Sequence, residues 1–328
     1  MNPAVKKLLS LHQLQPVLVD IGASGTPPKM WQDLAAQSVY VGFDPDAREF
    51  GEPPSEVFYQ SILVNQAVTA DPDTTEACFY LTHHPQCSST LEPDTPFLEN
   101  YLFSPLFRVV DRVKAPATTL NAVVEQFSLP QIDWIKLDSQ GTDLRLFNSL
   151  EETLRSHVLA VDIEPGLMDA YRGEDLFVSA HPNLLKQGFW LSDLRVAGAV
   201  RMRSSTIEKM TTLDAEINRD RCQAVIKKSP YWCNARYLRS LEWLAESESG
   251  QRDYLLLWIF SMIDQQWGFA FEVGMAYQQR FGQDTSAKLM QAEPMTQINL
   301  ADQNLQADTT TDLFQRLLNR IRYKFTSP

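Results

Sequence analysis

A doubly wound α/β fold on a mostly parallel sheet is what the sequence predicts, from three observations. Short apolar runs of strand length recur, several end in an acid or a glycine turn, and helical stretches separate them as far as about residue 200. Parallel strands buried on both faces read as near-continuous apolar runs, with helices covering the sheet. The first run, Val17-Leu18-Val19-Asp20, enters a tight turn at Gly22-Ala23-Ser24-Gly25. Pro27 and Pro28 then open a helix through Trp31 and Leu34, since the first helical turn has no use for the N–H that proline lacks. Val39-Tyr40-Val41-Gly42-Phe43 is a second buried strand, ending at Asp44-Pro45-Asp46. Residues 57–59 and 62–64 mark a third strand region, and 78–81 another. Residues 82–118, rich in Pro, Ser and Thr, predict a long loop with short helices, of a length that often carries function. A helix over 119–127, a strand over 134–138, a helix over 143–154 and a strand over 158–163 complete the alternation.

The character changes after residue 200. Leu238, Leu241, Trp243 and Leu244, then 254–263 and 269–277, predict amphipathic or buried helices. Two units are therefore expected, an α/β domain over 1–200 and a helical domain over 201–328 that serves as lid, acceptor platform or oligomer interface. A terminal helix over 311–325 carries Leu313, Leu317, Leu318 and Ile321 on one side with basic residues elsewhere, a pattern that favours docking on its own protein over a membrane surface.

Composition narrows the function. With 44% hydrophobic and 21% charged residues the chain is globular rather than disordered. Residues 1–200 hold 13 Lys+Arg against 26 Asp+Glu, and the net charge of −12 would repel a phosphate backbone, so nucleic acid is not an expected partner. The four cysteines contain no CxxC pair, which predicts free thiols. No signal-peptide core is present, and the longest apolar run, Leu255 to Ile263, is too short to cross a bilayer. A cytoplasmic protein with no integral membrane segment is expected, and a homo-oligomer is compatible with the sequence.

Open α/β sheets bind ligands outside the carboxyl ends of their strands, so the polar residues there are the candidate site. At the first end, Gly22 and Gly25 permit a sharp turn and close approach, with Ala23 and Ser24 between them, while Asp20 fixes the turn or reaches a ligand amine. At the second, Asp44 suits both hydroxyls of an unphosphorylated ribose. The glycine spacing is not GxGxxG, so the turn alone says little. At the third end, Lys136, Asp138, Gln140 and Asp143 crowd one strand-to-helix turn. A structural alternative has Asp143 capping the helix with Lys136 paired to it, set against a site role for the cluster, and Asp138 is the residue that capping explains poorly. Glu164 lies at the fourth end. No paired histidines or dense acid cluster supports a divalent metal, and His83-His84 reads as a solvated pair more readily than as a catalytic base.

These motifs resemble the FkbM family of methyltransferases over roughly residues 16–196. Asp20-Ile21-Gly22-Ala23-Ser24-Gly25 is similar to the family's opening turn, with serine for asparagine and a shortened glycine spacing. Asp44 matches its ribose-binding acid, Ser88-Ser89-Thr90-Leu91 its paired-serine loop, and Thr119-Leu120-Asn121 its Thr-Leu-Asp segment. Lys136, Asp138, Gln140, Gly141 and Asp143 match its most distinctive element, Glu164 its next strand-end acid, and Gly188-Phe189 its closing strand. The resemblance implies a Rossmann-like methyltransferase fold and S-adenosylmethionine bound by Asp20, Gly22, Ala23, Ser24, Gly25 and Asp44. It also implies O-methylation of a small-molecule or glycan hydroxyl, a sugar or a natural product. Asp138 is then the first candidate to orient or deprotonate the acceptor, with Lys136 setting the potential and Gln140 beside it, and Ser88, Ser89 and Glu164 are candidates for acceptor binding. A non-catalytic nucleotide-binding or interaction protein and a nicotinamide-dependent oxidoreductase are the competing readings.

Overall fold

The computed structural model describes residues 2–23, 27–45 and 57–325, with side chains as far as residue 306. Its strands are β1 (Val17–Ile21), β2 (Val39–Phe43), β3 (Gln60–Val64), β4 (Ala67–Val68), β5 (Glu76–Thr82), β6 (Val109–Thr118), β7 (Trp134–Leu137), β8 (Ala160–Ile163), β9 (Phe189–Ala199) and β10 (Ser229–Arg239). Seven of them form the central sheet in the order β3-β2-β1-β7-β8-β10-β9. All its pairings are parallel except those of β10, which runs antiparallel to both β8 and β9. The mostly parallel α/β sheet expected from the sequence is present.

Alternation along the buried strands sorts side chains to two cores. Val19, Ile21, Val41, Phe43, Ile135 and Leu137 face one side, where they pack with Leu120, Leu146, Phe147 and Leu184 from the helices that follow β6, β7 and β8. Leu18, Tyr40, Trp134 and Leu238 face the other, with the N-terminal helix Pro3–Leu11 and the C-terminal helices Gln251–Ile263 and Trp267–Phe281. The helix Gln251–Ile263 is buried from Asp253 through Met262, as expected for a helix apolar on every side. Arg252 fixes it to the sheet by donating to both oxygens of the fully buried Asp133, at 2.6 and 2.8 Å.

Four expectations need correction. The segment after Pro28 forms only the short 3-10 turns Lys29–Asp33 and Ala35–Gln37. The face a longer helix would cover is taken by the terminal helices, and Trp31, fully buried, sits edge-on to Trp134 at 6.0 Å. Residues 82–118 are not all loop, since 109–118 form β6, which pairs with β4 and β5 in a separate three-stranded sheet. The helix expected over 143–154 is two, Asp143–Asn148 and Glu152–His157. At the break the Asn121 amide donates to the Ser149 carbonyl and accepts from the Glu151 N–H, replacing helical hydrogen bonds. Finally, the region beyond 200 is not helical throughout, because β10, with Leu238 on it, inserts between β8 and β9. The expected terminal helix lies within Thr285–Phe325, where the side chains of 311–325 fall outside the described residues. Among the described residues no helix is long and apolar enough to cross a membrane, and all four cysteines are free.

Candidate active site at the carboxyl edge of the sheet

Register brings the site together. Asp20 on β1 stands opposite Lys136 on β7, and Lys136 opposite Asp162 on β8. Side chains opposite one another on adjacent strands share a face, and the Lys136 ammonium donates to Asp20 at 3.0 Å and lies 3.7 Å from Asp138. The Tyr40 hydroxyl donates to the other Asp20 oxygen at 3.1 Å. Burial pushes the Asp20 carboxyl up, against the pull of Lys136 and Tyr40. Burial also works against the Lys136 ammonium, but the carboxylates of Asp20 and Asp138 hold it above its ordinary range. The partner of Lys136 is therefore Asp20, not Asp143.

The turn after β7 is held in an unusual shape. Gln140 has φ of +57° and Gly141 of +107°, consecutive residues in the left-handed region, which a side chain at 140 makes costly. Three contacts fix Gln140. Its amide donates to Asp138 at 2.6 Å, its side-chain oxygen lies 3.1 Å from the Tyr171 hydroxyl, and its carbonyl accepts from Ser89 at 2.7 Å. At the neighbouring turn Gly22 has φ of +78°, and a Cβ there would lie 2.3 Å from the Asp138 carbonyl oxygen. The glycine thus lets the β1 turn close on the exit of β7. The N–H groups of Gly22 and Ala23 both donate to the Phe43 carbonyl, at 3.0 and 2.9 Å.

Asp143 does not cap its helix, whose N-cap is Thr142; it is the first helical residue and accepts instead from the Ser139 N–H and hydroxyl and from the Glu164 N–H at 2.9 Å. It thereby ties the end of β8 to the turn after β7. Burial pushes its carboxyl up to about 6. Glu164, so placed, lines the same cavity as Asp138. Burial, together with the charges of Asp138 and Asp143, pushes Glu164 up to about 8.

A cavity of about 650 Å³ runs along this edge, lined by Gly22, Asp44, Ser88, Lys136, Asp138, Gln140 and Glu164 among others. A smaller one of about 370 Å³ shares Gly22, Lys136, Asp138 and Glu164 and adds Asp20, Asp162 and Arg236. Most of the residues expected at the site thus meet in one place. Ser89 is fully buried and acts through Gln140, and Ala23 is buried behind the turn. Ser24 and Gly25 lie outside the described residues. Among the described residues no cluster of His, Cys, Asp and Glu could hold a metal ion. Sequence reasoning missed Tyr40, Tyr171, Glu174 and the aromatic wall of the large cavity. Glu174 stands in the acid-bearing loop Arg172-Gly173-Glu174-Asp175, where its oxygen accepts from the N–H groups of Ala170 and Tyr171, at 2.6 and 3.1 Å.

A raised carboxyl pKa makes the folded state bind more protons than the unfolded chain, so stability falls as pH rises between the two pKa values. For Glu164 that interval runs from its ordinary 4.5 to about 8. Thermal melts from pH 5 to 9 are expected to show Glu164→Gln gaining on the parent protein as pH rises. An equal difference at every pH would place Glu164 in an ordinary environment.

A seven-stranded sheet whose sixth strand is reversed, with an acid-lined cavity at its carboxyl edge, defines a Rossmann-like methyltransferase architecture. Residues 20–190, more than half of the 328-residue chain, match the family model of the methyltransferase FkbM domain, and the chain belongs to that family. No curated protein sequence is similar enough to count as a relative.

Proposed function

We propose that this methyltransferase uses S-adenosylmethionine and transfers its methyl group to a hydroxyl oxygen of a small molecule or glycan. One observation carries the reading. A single cavity joins Asp44 at the end of β2, buried to 7% exposure, to the Asp138–Glu164 pair at the ends of β7 and β8. The donor set fits the cofactor. Acids of Asp44 and Asp138 favour a ligand that carries a sulfonium and an ammonium group, and Asp44 suits two vicinal ribose hydroxyls. When bound, S-adenosylmethionine supplies an already activated methyl group.

What remains for the protein is positioning and removal of one proton. Asp138, held by Gln140, orients the acceptor hydroxyl, and the Asp138–Glu164 pair takes its proton. Lys136 keeps Asp138 in place and balances the charge. Gly22 and the turn residues shape the cofactor end, and Ser88 belongs to the acceptor side. Residues 241–281 brace the far face of the sheet, while the segment at 223–232 reaches the cavity.

Incubation with methyl-labelled S-adenosylmethionine and a panel of hydroxylated compounds is expected to yield a labelled O-methyl product, read by NMR. Labelled N-methyl products alone would contradict oxygen as the acceptor atom. Asp44→Ala is expected to weaken S-adenosylhomocysteine binding by about 1–3 kcal/mol, through loss of charge-assisted hydrogen bonds to the ribose. Calorimetry on the folded variant checks it, and an unchanged affinity would remove Asp44 from the cofactor site.

A further inference from the structure

Given methyl transfer to oxygen at this site, we infer that the acceptor is an uncharged hydroxyl compound with an extended apolar body, aromatic or alicyclic, seated on the wall formed by Phe103, Phe107, Tyr231 and Trp232. Strand order separates the two ends of the large cavity. Asp44 directly follows β2, on one side of β1 and β7, whereas Tyr231 and Trp232 belong to β10, beyond β8 on the other. Asp138 and Glu164 stand between them. A nucleoside held at Asp44 therefore leaves the β10 end for the acceptor.

That end is a stack of rings. Phe103 meets Tyr231 edge-to-face at 4.9 Å and Phe107 at 5.2 Å, and Trp232 meets Tyr231 at 6.2 Å. The hydroxyls nearby are turned to backbone. Tyr171 donates to the Cys87 carbonyl at 2.9 Å, and the Tyr231 hydroxyl has the Asp169 carbonyl at 3.4 Å. Rings and the aliphatic Leu102, Leu106 and Val200 line the space, with the polar Gln223, Lys228 and Glu174 beside them. A free sugar placed there would lose water from hydroxyls that find few partners, which costs about 1–3 kcal/mol for each group left unpaired. An apolar body gains from the same burial.

Charge sets the second condition. Asp44, Asp138, Glu164 and Glu174 line the cavity, and the Lys136 ammonium is already engaged by Asp20 and Asp138. Lys228 stands exposed at the edge of the wall. A phosphate or carboxylate near the reacting hydroxyl would meet this acidic rim.

The test uses the full chain and ligand-observed NMR, with 2-naphthol, methyl glucoside and glucose 6-phosphate as probes, with and without saturating S-adenosylhomocysteine. Naphthol is expected to bind at least about ten-fold more tightly than either sugar. Trp232→Ala should weaken it at least about ten-fold. Leu106→Lys, at a position 37% exposed and so compatible with folding, should also weaken it. If S-adenosylhomocysteine binds but either sugar binds as well as naphthol, or if both variants leave naphthol binding unchanged, the acceptor class is wrong while the cofactor assignment stands. Failure of S-adenosylhomocysteine to bind would overturn the methyl-transfer reading and this inference with it.

Discussion

Asp138→Asn is expected to lower methyl transfer by about 10²–10⁴-fold, the range for losing a general base, while the fold and cofactor affinity stay close to those of the parent protein. The amide keeps the shape of the side chain, and its oxygen can still accept from the Gln140 amide that now donates at 2.6 Å. It cannot take a proton, and it removes one of the charges that push Glu164 up. Two readouts therefore move together. The rate falls, and the alkaline rise in activity that follows ionisation of Glu164, held up at about 8, shifts to lower pH. A purely structural Asp138 would leave the pH profile in place. Wild-type turnover by the asparagine variant would transfer the role of base to Glu164 acting alone.

The second large effect is expected on stability. Lys136→Met leaves the Asp20 carboxyl, 4% exposed, with the Tyr40 hydroxyl as its remaining side-chain partner among the described residues. Removing one partner of a buried ion pair costs about 3–5 kcal/mol, and the partly exposed Lys136 places this case at the low end. The loss should grow as pH rises, because Asp20, already pushed up by burial, can escape part of it by staying protonated in acid. Denaturant unfolding at two pH values measures it. The double variant Asp20→Asn with Lys136→Met should recover most of the loss, since it removes the stranded charge, and a strictly additive double variant would show that the pair does not interact.

The parts of the fold that are legible in the sequence share one physical property. β1, β2, β7 and β8 are largely buried on both faces, so each is mostly apolar, and acids mark their ends. Because all four are parallel, those acids must meet at one edge, which is why Asp20, Asp44, Asp138 and Glu164 could be grouped without coordinates. β6 carries Asp111, Arg112, Lys114 and Pro116, because its sheet lies at the surface with one face in solvent, and its pattern reads as loop. β10 begins with Ser229-Pro230 and mixes Asn234 and Arg236 among apolar residues, because Arg236 is paired with Asp162 and Asp264 beneath the site. Lys136 and Asp143 were near enough in sequence to suggest a pair, yet the register of β1 against β7 sets Lys136 beside Asp20 instead. The aromatic wall draws on residues 103–107, 171 and 231–232, and only tertiary packing brings these together.

Calorimetric titration of the purified chain with S-adenosylhomocysteine, and separately with NAD, tests the central claim most directly. The architecture, the acid at the end of β2 and a turn without a dinucleotide fingerprint predict saturable, one-to-one binding of S-adenosylhomocysteine, weakened by Asp44→Ala, and no comparable binding of NAD. Tight NAD binding with no detectable heat from S-adenosylhomocysteine would contradict it.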